Sequence, residues 1–369
     1  MILRNIKYYL FLSIFLFVCS ACKDTLFTPE FKIETSNLNL SSNHLYINNN
    51  TLKVGVNLNW GGAIDYISYK GGPNIVERGL PDPGRAIQVS LYDGHDYYEP
   101  GANWYGEWGW NPVQAGDRNG RVSGYISYDR FRNIVYVKSR PLEWNGTGPS
   151  DIFIEEWISF LSQYPNVIQL SYKITHFGND HHAGTWQELP CIYLKPTLNI
   201  PQVVVYQGAA PWTNDKKGIK RFTQAINIPE KIYSSENWVA LIDELNESGV
   251  IVYSKSEFKT SFALENRRSG APALPINLIG VHSWFSIPSG FDYQTDVYLI
   301  FGNWKEARRI IYELNAIPYS QTMSPTKNNN DEFNIIDDLE ISPKNNFIKT
   351  PIPVKKHQKE AKIKKRENK

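Results

Sequence analysis

The chain has 369 residues, of which 41% are hydrophobic and 14% aromatic, so it can bury a large core in one big domain or two medium ones. This composition excludes a wholly disordered, collagen-like or multi-span membrane protein. Of the net charge of +2, residues 355–369 contribute +6 and residues 1–21 contribute +2, which leaves −6 for residues 22–354. A mildly acidic body predicts that the protein does not bind nucleic acid.

The first 21 residues have the layout of a secretory signal. Arg4 and Lys7 precede an apolar run over residues 8–18, which is too short for a comfortable transmembrane helix. Ser20-Ala21-Cys22 follows, and a cysteine in this position resembles the acylated cysteine of bacterial lipoproteins. The resemblance implies a lipid anchor on Cys22 and a place in the bacterial cell envelope, at the outer membrane. The alternative is an ordinary cleaved signal followed by an incidental cysteine.

Residues 43–317 show the pattern of a β-rich domain. Short apolar runs alternate with turn-forming clusters such as residues 145–149, and residues 167–172 alternate with the period of two that a half-buried strand needs. Before this domain, residues 22–42 are rich in Thr, Ser and Asn and predict a tether. After it, residues 318–369 gain Asn, Pro and Lys and predict a disordered basic tail.

One helix is predicted near the end of this domain. Asn303 can cap it, and Ala307, Ile310, Ile311 and Leu314 follow at helical spacing. Many short strands with so little helix predict an all-β fold, a large antiparallel β-sandwich of two packed sheets with this C-terminal helix beside it. Two smaller sandwiches in tandem are the alternative, but no Pro- and Ser-rich linker divides the middle of the chain.

Residues 57–68 combine a strand, a turn at Gly61-Gly62 and a returning strand, and an Asn-x-Val element follows over residues 74–78. Together they resemble the N-terminal hairpin of galactose-mutarotase-like β-sandwiches. The resemblance implies a supersandwich fold of that kind and carbohydrate-active chemistry. Four further stretches resemble a widespread family of secreted bacterial proteins without an assigned activity. These stretches are residues 82–94, 104–117, 187–193 and 236–240. This second resemblance implies no catalytic residues.

Several reaction classes lose support because their motifs are missing. The sequence has no Walker loop, dinucleotide glycine fingerprint, Gly-x-Ser-x-Gly elbow, His-Glu-x-x-His or paired-cysteine zinc motif, so no cofactor is predicted. Glu155 and Glu156 are neighbours in a predicted strand and face opposite ways, so they cannot form a glycosidase pair by themselves. Cys191 reads as a buried, unreactive side chain.

Two sets of side chains predict a surface that binds a saccharide. Along residues 86–92, Gln88, Ser90 and Tyr92 share one face of a strand, while the apolar residues between them face the core. Tryptophans in Gly- and Asn-rich loops offer apolar faces that suit the C–H side of a sugar ring, and amides and carboxylates beside them can bond its hydroxyls. The alternative is that these tryptophans close the end of the sandwich. The candidate substrate-binding residues are Gln88, Tyr92, Trp104, Trp108, Trp110, Asn111, Gln114, Asp117 and Trp212.

The candidate catalytic residues are histidines near a glutamate. His181 or His182 could form a general acid–base pair with Glu188, because a histidine of near-neutral pKa transfers protons readily. In mutarotase-like enzymes a histidine and a carboxylate work on opposite sides of a sugar ring, so the resemblance implies these roles here. Arg85 is expected to stabilise developing negative charge. The alternatives are exposed loop histidines and a metal site, but no recognised ligand spacing is present and no metal is predicted.

These observations support two hypotheses of different classes. The first is a lipid-anchored envelope protein that binds or processes a poly- or oligosaccharide in an aromatic cleft by hydrolysis, β-elimination or epimerisation. The second is a non-catalytic glycan-binding or structural surface lipoprotein. An enzyme needs two titratable groups that converge within a few ångströms, whereas a binding protein needs only the aromatic platform.

Overall fold

The structure is a computed structural model of the chain, and it describes residues 43–77, 86–94, 109–195, 197–223, 232–256, 260–265 and 277–316. The predictions of a signal, a lipidated Cys22, a tether and a basic tail therefore lie outside the described residues. Arg85, Trp104 and Trp108 also lie outside them.

The described residues form nineteen strands and one α-helix, α1, which spans Trp304–Ala316. In chain order the strands are β1 (His44–Asn48), β2 (Leu52–Asn57), β3 (Ile64–Tyr69), β4 (Ile87–Ser90), β5 (Pro112–Val113), β6 (Ser127–Phe131), β7 (Ile134–Ser139), β8 (Leu142–Glu143), β9 (Ile152–Leu161), β10 (Tyr164–His176), β11 (His182–Leu194), β12 (Gln202–Tyr206), β13 (Ile219–Thr223), β14 (Ile232–Tyr233), β15 (Trp238–Ile242), β16 (Ser248–Ser254), β17 (Thr260–Glu265), β18 (Asn277–Ile287) and β19 (Asp292–Asn303).

The strands form two sheets, and the ladders between described strands are antiparallel. The first sheet has the order β1-β2-β3-β4-β11-β18-β17-β14, with β5 and β8 attached beside β4. The second sheet has the order β13-β12-β15-β16-β19-β10-β9-β7-β6. The chain crosses from the second sheet to the first between β10 and β11, so residues on either side of this short connection belong to different sheets.

The inner faces of the two sheets enclose one large hydrophobic core. Alternate residues of the central strands point into it, as the period of two requires. Each fully buried aliphatic side chain of this kind contributes about 1.5–3 kcal/mol relative to its exposed state. Representative members are Val54, Ile87, Val89 and Val281 from the first sheet and Ile154, Ile168, Leu170 and Leu299 from the second.

The Gly-Gly step predicted in the first hairpin is a tight turn between β2 and β3. A short 3₁₀ turn over Leu58–Trp60 is capped by the side chain of Asn57, which accepts a hydrogen bond from the backbone N–H of Asn59 at 3.1 Å. Gly61 then has a φ of 60°, and a Cβ at this position would lie 2.5 Å from the carbonyl oxygen of Gln114. Only glycine fits such a turn without displacing its neighbour.

Helix α1 packs on the outer face of the second sheet. The side chain of Asn303 accepts a hydrogen bond from the backbone N–H of Lys305 at 2.9 Å and caps the helix, as predicted. The predicted apolar face is buried against side chains of β12, β15, β16 and β19, and its members are Ala307, Ile310, Ile311 and Leu314. The helix thus supplies a second, smaller hydrophobic cluster outside the sandwich.

The predicted fold class, an antiparallel two-sheet sandwich with one C-terminal helix, is confirmed by the described residues. Within the described part of the chain, α1 is too short and too polar to cross a membrane.

Candidate functional site

Three neighbouring strands in the middle of the first sheet, β4, β11 and β18, carry a row of polar residues on one face. Ser90 is the cross-strand partner of Glu188, and Glu188 is the partner of His282 on its other side. Leu189 and Val281, the next residues along β11 and β18, belong to the core between the sheets. Because successive side chains of a strand alternate, the row of Ser90, Glu188 and His282 lies on the outer face.

A bulge in β11 sets the orientation of this row. Four residues of β11, from Glu188 to Cys191, are opposed by three residues of β18 and by three of β4. The extra residue lets Leu189 point inward while Ile192 and Leu194, on the other side of the bulge, point inward as well. Glu188 is therefore directed outward from a strand whose two halves both contribute to the core.

The side chains of the row are hydrogen-bonded to one another. The phenol of Tyr92, just after β4, donates to Oε2 of Glu188 at 2.8 Å, and the hydroxyl of Ser90 donates to the Tyr92 oxygen at 3.0 Å. On the other side, Nε2 of His282 lies 3.4 Å from Oε1 of Glu188. Nδ2 of Asn111 donates to the Ser90 hydroxyl at 3.3 Å and so orients the chain of donors. A carboxylate, a phenol and an imidazole thus converge.

The pKa values of the carboxylate and the phenol move apart. Burial pushes the pKa of Glu188 upward, but the hydrogen bond and charge of His282, together with the Tyr92 hydrogen bond, outweigh it and leave that pKa below its usual value. Burial, reinforced by the negative charge of Glu188, raises the pKa of Tyr92 well above its usual value. Near neutral pH the glutamate is therefore ionised and the tyrosine protonated.

Gly280 and Gln187 hold the imidazole of His282 and the phenol of Tyr92 in place. A Cβ on Gly280 would lie 2.3 Å from Nε2 of His282, so the glycine leaves the space that the imidazole occupies. The amide side chain of Gln187 bridges the neighbouring strand, because it accepts from the N–H of Tyr92 at 2.7 Å and donates to its carbonyl oxygen at 2.9 Å. These contacts fix where Tyr92 leaves the strand.

Aromatic rings lie beside the row on the outer face. Trp186 and Trp284 are cross-strand partners whose ring centroids are 5.3 Å apart in an edge-to-face arrangement. The ring of Trp186 is 6.4 Å from that of His282 and 6.3 Å from that of Tyr233. Trp284 is 40% exposed and Tyr233 is 44% exposed, so this group offers apolar ring faces to a ligand next to the polar row.

A second cluster of ionisable groups lies where the chain crosses between the sheets. Nε2 of His176 is 3.0 Å from Oδ2 of Asp151, and the indole N–H of Trp110 donates to Oδ1 of the same aspartate at 3.0 Å. The Trp110 ring stacks on His182 with a centroid distance of 3.6 Å, and Nδ1 of His182 is 3.2 Å from Oδ2 of Asp93. One potential ligand atom from each of Asp151, His176 and His182 lies within 4.8 Å of the other two.

The pKa values in this cluster also shift. Burial lowers the pKa of His182, and the nearby carboxylate of Asp93 offsets only part of that effect. Burial pushes the pKa of Asp151 upward, but the hydrogen bonds from Trp110 and His176 outweigh it and lower that pKa. The arrangement favours a neutral His182 beside an ionised aspartate.

The predicted pairing of His181 or His182 with Glu188 does not form. His181 is exposed in the connection before β11, and His182 is buried against Trp110 and bonded to Asp93. His182 and Glu188 are six residues apart on one strand, a separation of roughly 15–20 Å. The histidine that reaches Glu188 is His282, which comes from another strand.

Gln88 and Asn111, predicted to bind substrate, bond mainly to the protein itself. The side-chain oxygen of Gln88 accepts from the backbone N–H of Ala115 at 3.0 Å, and Gln88 is buried. Nδ2 of Asn111 donates to the carbonyl oxygen of Leu91 at 2.6 Å and to Ser90. Asn111 therefore supports the polar row from behind. The prediction that Gln88, Ser90 and Tyr92 share a face agrees with the register of β4 against β11.

Gln114 and Asp117 are also committed to internal bonds. Gln114 is fully buried, accepts from the backbone N–H of Val89 at 2.9 Å and donates to Oε2 of Glu156 at 2.9 Å. Asp117 is fully buried and accepts hydrogen bonds from the Arg121 guanidinium and from two backbone N–H groups of its own loop. Neither side chain is presented to a ligand, because hydrogen bonds within the protein use their polar atoms.

The predicted tryptophans that the structure describes lie in different places. Trp110 belongs to the second cluster, at the end of the sandwich. The ring of Trp212 lies 5.6 Å from that of Tyr312 in α1 and 6.3 Å from that of Tyr253, so it packs with the hydrophobic cluster on the second sheet. Trp212 therefore does not share a cleft with Trp110 or with the polar row.

The sequence-based prediction did not include His282, Trp186, Trp284 or Tyr233. His282 and Trp284 alternate with Val281 and Phe285 in an apolar run, which is the pattern of a strand that carries functional groups on one face. This period of two is the signal that could have identified them.

No protein-family profile and no curated protein matches the chain. Solved structures are similar in fold at low sequence identity. The Slr1438 protein from Synechocystis has a TM-score of 0.45 at 9% identity, over 70% of this chain and 96% of its own. A GalM/aldose epimerase homologue from C. elegans has a TM-score of 0.41 at 8% identity, over 70% and 99%. Galactose 1-epimerase from Lactobacillus acidophilus has a TM-score of 0.40 at 9% identity, over 70% and 94%.

Proposed function

We propose that the protein binds a carbohydrate on the outer face of the first sheet and catalyses proton transfer at its ring. Glu188 is the general base, and Tyr92 or His282 is the general acid. The observation that carries the proposal is the convergence of a carboxylate, a phenol and an imidazole on one row of cross-strand neighbours. An active site needs such a convergence, whereas a binding surface does not.

The charge states suit these roles. The lowered pKa of Glu188 keeps a carboxylate available near neutral pH, and the raised pKa of Tyr92 keeps a proton available. Both oxygens of Glu188 face groups that carry protons, so a sugar hydroxyl that replaces either group is placed to donate to the carboxylate. The rings of Trp186 and Trp284 offer the neighbouring apolar surface for the C–H face of the sugar.

Epimerase-type chemistry fits this set of groups better than hydrolysis. Glu188 would accept the proton of the anomeric hydroxyl while the ring C–O bond breaks, and Tyr92 or His282 would give a proton to the ring oxygen. Ring closure on the opposite face returns both protons and inverts the anomeric centre. Hydrolysis needs two carboxyl groups about 5–10 Å apart, and the described residues of the row supply only Glu188.

Three assays on the full chain test this function. Polarimetry of freshly dissolved aldoses measures epimerisation, a reducing-end assay measures hydrolysis, and ultraviolet absorbance measures elimination from uronic acids. We expect accelerated epimerisation, with Glu188→Gln lowering kcat by about 10²–10⁴-fold. The matched control is Glu155→Gln, which changes a glutamate of the second sheet whose Oε2 accepts from Tyr136. Sugar binding without turnover would instead favour the non-catalytic hypothesis.

We also propose, from residues 1–22 alone, that Cys22 is lipidated and anchors the protein to the bacterial cell envelope. The basic start, the short apolar run and the Ser-Ala-Cys sequence support this proposal. The test is expression of the full chain and of Cys22→Ala in a bacterial host, followed by fractionation and mass spectrometry. We expect the unaltered chain in the membrane fraction with acyl mass on Cys22, and the variant without that mass. An acyl-free membrane fraction of the unaltered chain would contradict the proposal.

A further inference from the structure

The cluster of Asp151, His176 and His182 is separate from the polar row and has no part in the proposed reaction. His176 ends β10 in the second sheet, and His182 begins β11 in the first sheet. Asp151 directly precedes β9. Their potential ligand atoms lie within 4.8 Å of one another. We propose that these three residues bind a divalent transition-metal ion, with zinc as the expected occupant.

The hydrogen bonds of His176 direct a lone pair at the aspartate. Its Nδ1 is 2.8 Å from the carbonyl oxygen of Pro288, which can only accept, so Nδ1 carries the hydrogen. In the neutral ring Nε2 then has a lone pair, and it lies 3.0 Å from Oδ2 of Asp151. Two acceptor atoms at this distance repel each other unless a proton or a cation lies between them.

His182 presents a second lone pair. Its Nδ1 is 3.2 Å from the carboxylate of Asp93, so the hydrogen belongs on Nδ1 and the lone pair on Nε2. His182 as a whole is only 5% exposed. Its Nε2 is buried and has no hydrogen-bond partner among the described residues. A buried polar atom without a partner is costly, and a metal ion would supply the missing interaction.

The surroundings resemble the outer shell of a metal site. Metal-binding histidines commonly donate their second N–H to a carbonyl or carboxylate, as His176 does to Pro288 and His182 to Asp93. The Trp110 indole donates to Oδ1 of Asp151, which leaves Oδ2 for the ion, and its ring stacks on His182 and fixes the imidazole plane. Each of the three ligands thus has its orientation set by a further contact.

The donor set selects the metal. Two imidazole nitrogens and one carboxylate oxygen are ligands that zinc prefers, and three protein ligands leave a fourth position for water. Zinc–ligand bonds of about 2.0–2.1 Å place tetrahedral donors about 3.3 Å apart, so the rings need to move by about 1 Å. Gly178 allows a close approach of the backbone, because a Cβ there would lie 2.0 Å from Oδ2 of Asp151 and 2.6 Å from Nε2 of His176.

The site would join the two sheets. His176 and Asp151 belong to the second sheet and its margin, while His182 belongs to the first, so one ion would cross-link the layers at the connection between β10 and β11. A ligand that binds only the folded chain raises its melting temperature by mass action. Zinc binding should therefore be visible as thermal stabilisation without any assay of activity.

The experiment uses the full chain without a histidine tag, stripped of metal with dipicolinate and then titrated with zinc chloride. We expect one saturable equivalent by calorimetry and a rise in Tm of roughly 5 °C or more at a hundredfold excess over Kd. Cobalt(II) should give the visible absorption of a tetrahedral site. No saturable binding, or binding without a change in Tm, would overturn the proposal.

Variants locate the ion. His182→Gln and Asp151→Asn should abolish the stoichiometric binding and the Tm rise, and Asp93→Asn should weaken zinc affinity by about 10–100-fold while leaving the ligands in place. The matched control is His44→Gln, which removes another histidine–aspartate pair, since Nε2 of His44 lies 2.8 Å from Oδ2 of Asp65. This control should keep full affinity. Unchanged zinc binding in both Asp151→Asn and Asp93→Asn would place the ion elsewhere and refute the site, whether or not His182→Gln folds.

Discussion

Glu188 in the first sheet and Glu236 beside the second are both held by side-chain hydrogen bonds, and they differ in their partners. Glu236, next to β15 and α1, is fully buried and receives two hydrogen bonds from the Arg308 guanidinium, at 2.9 and 2.8 Å. The indole of Trp238, the phenol of Tyr312 and the backbone N–H of Trp212 also donate to it. The pKa of Glu236 is lowered, because these bonds outweigh the effect of burial.

Glu188 in the first sheet has no arginine among the partners that the structure describes. Its two oxygens face the phenol of Tyr92 and the imidazole of His282, which each carry a proton that can move. The partners of each carboxylate therefore decide its role. Five hydrogen bonds, two of them from a fixed cation, make Glu236 an anchor for the helix, whereas two exchangeable donors leave Glu188 able to accept a proton from a ligand.

The ion pair between Arg308 and Glu236 is expected to contribute most to stability. Arg308→Met leaves Glu236 buried without its cation, and we expect the free energy of unfolding to fall by about 3–5 kcal/mol in a denaturant titration. Any turnover per folded molecule should stay unchanged. The matched control is Arg309→Met on the same helix, which removes an exposed ion pair with Glu306 and should change the free energy of unfolding far less. Equal losses for the two variants would contradict the assignment of Glu236 as an anchor.

Glu156 is a third carboxylate, and it has fewer hydrogen-bond partners than Glu236. Glu156 faces the core, receives a hydrogen bond from Gln114, and burial raises its pKa from 4.5 to about 7. Between those two values the folded state holds the extra proton, so stability falls as pH rises through this window, by about 3 kcal/mol in total. Glu156→Gln should abolish this loss and stabilise the protein above about pH 7, as measured by urea unfolding across pH.

The control for that prediction is Glu155→Gln, one residue earlier on β9. Glu155 faces the opposite side of the strand, where the Tyr136 phenol donates to it, so the variant removes one negative charge without altering the core. If both variants stabilise the protein equally at high pH, net charge rather than the buried carboxyl is responsible.

Gly280 lies beside His282, the imidazole partner of Glu188. Gly280→Ala adds a methyl group 2.3 Å from Nε2 of His282 and must displace the ring. We expect kcat to fall by about 10-fold with little change in KM. The loss in free energy of unfolding should be about 1–3 kcal/mol. Retention of full kcat by this variant would show that His282 does not act with Glu188.

The sequence allowed good prediction of local features. The Gly61-Gly62 turn, the Asn303 cap and the helix face follow from chemistry within a few residues, and all three are present. The opposite orientations of Glu155 and Glu156 follow in the same way from the period of two. These features depend on backbone geometry that neighbouring residues determine on their own.

Contacts between distant segments could not be predicted. Glu188 meets His282 through the register of β11 against β18, which is fixed by packing across 94 residues of sequence and by the bulge after Glu188. The sequence shows that Gln114 and Asp117 are polar. It does not show that backbone N–H groups donate hydrogen bonds to both side chains. Trp212 was grouped with the other candidate tryptophans, but it packs on the second sheet, because a loop residue carries no period that indicates a sheet.

The bulge in β11 determines where this strand can change in length. It acts as a phase shift in the alternation of the strand, since Glu188 and Tyr193 are five positions apart yet lie on the same face. Removal of the extra residue would leave both halves of the strand on their present faces, whereas the same deletion elsewhere in the strand would exchange the faces beyond it. The bulge is therefore the place where β11 can lose one residue without turning Ile192 and Leu194 to solvent or Glu188 into the core.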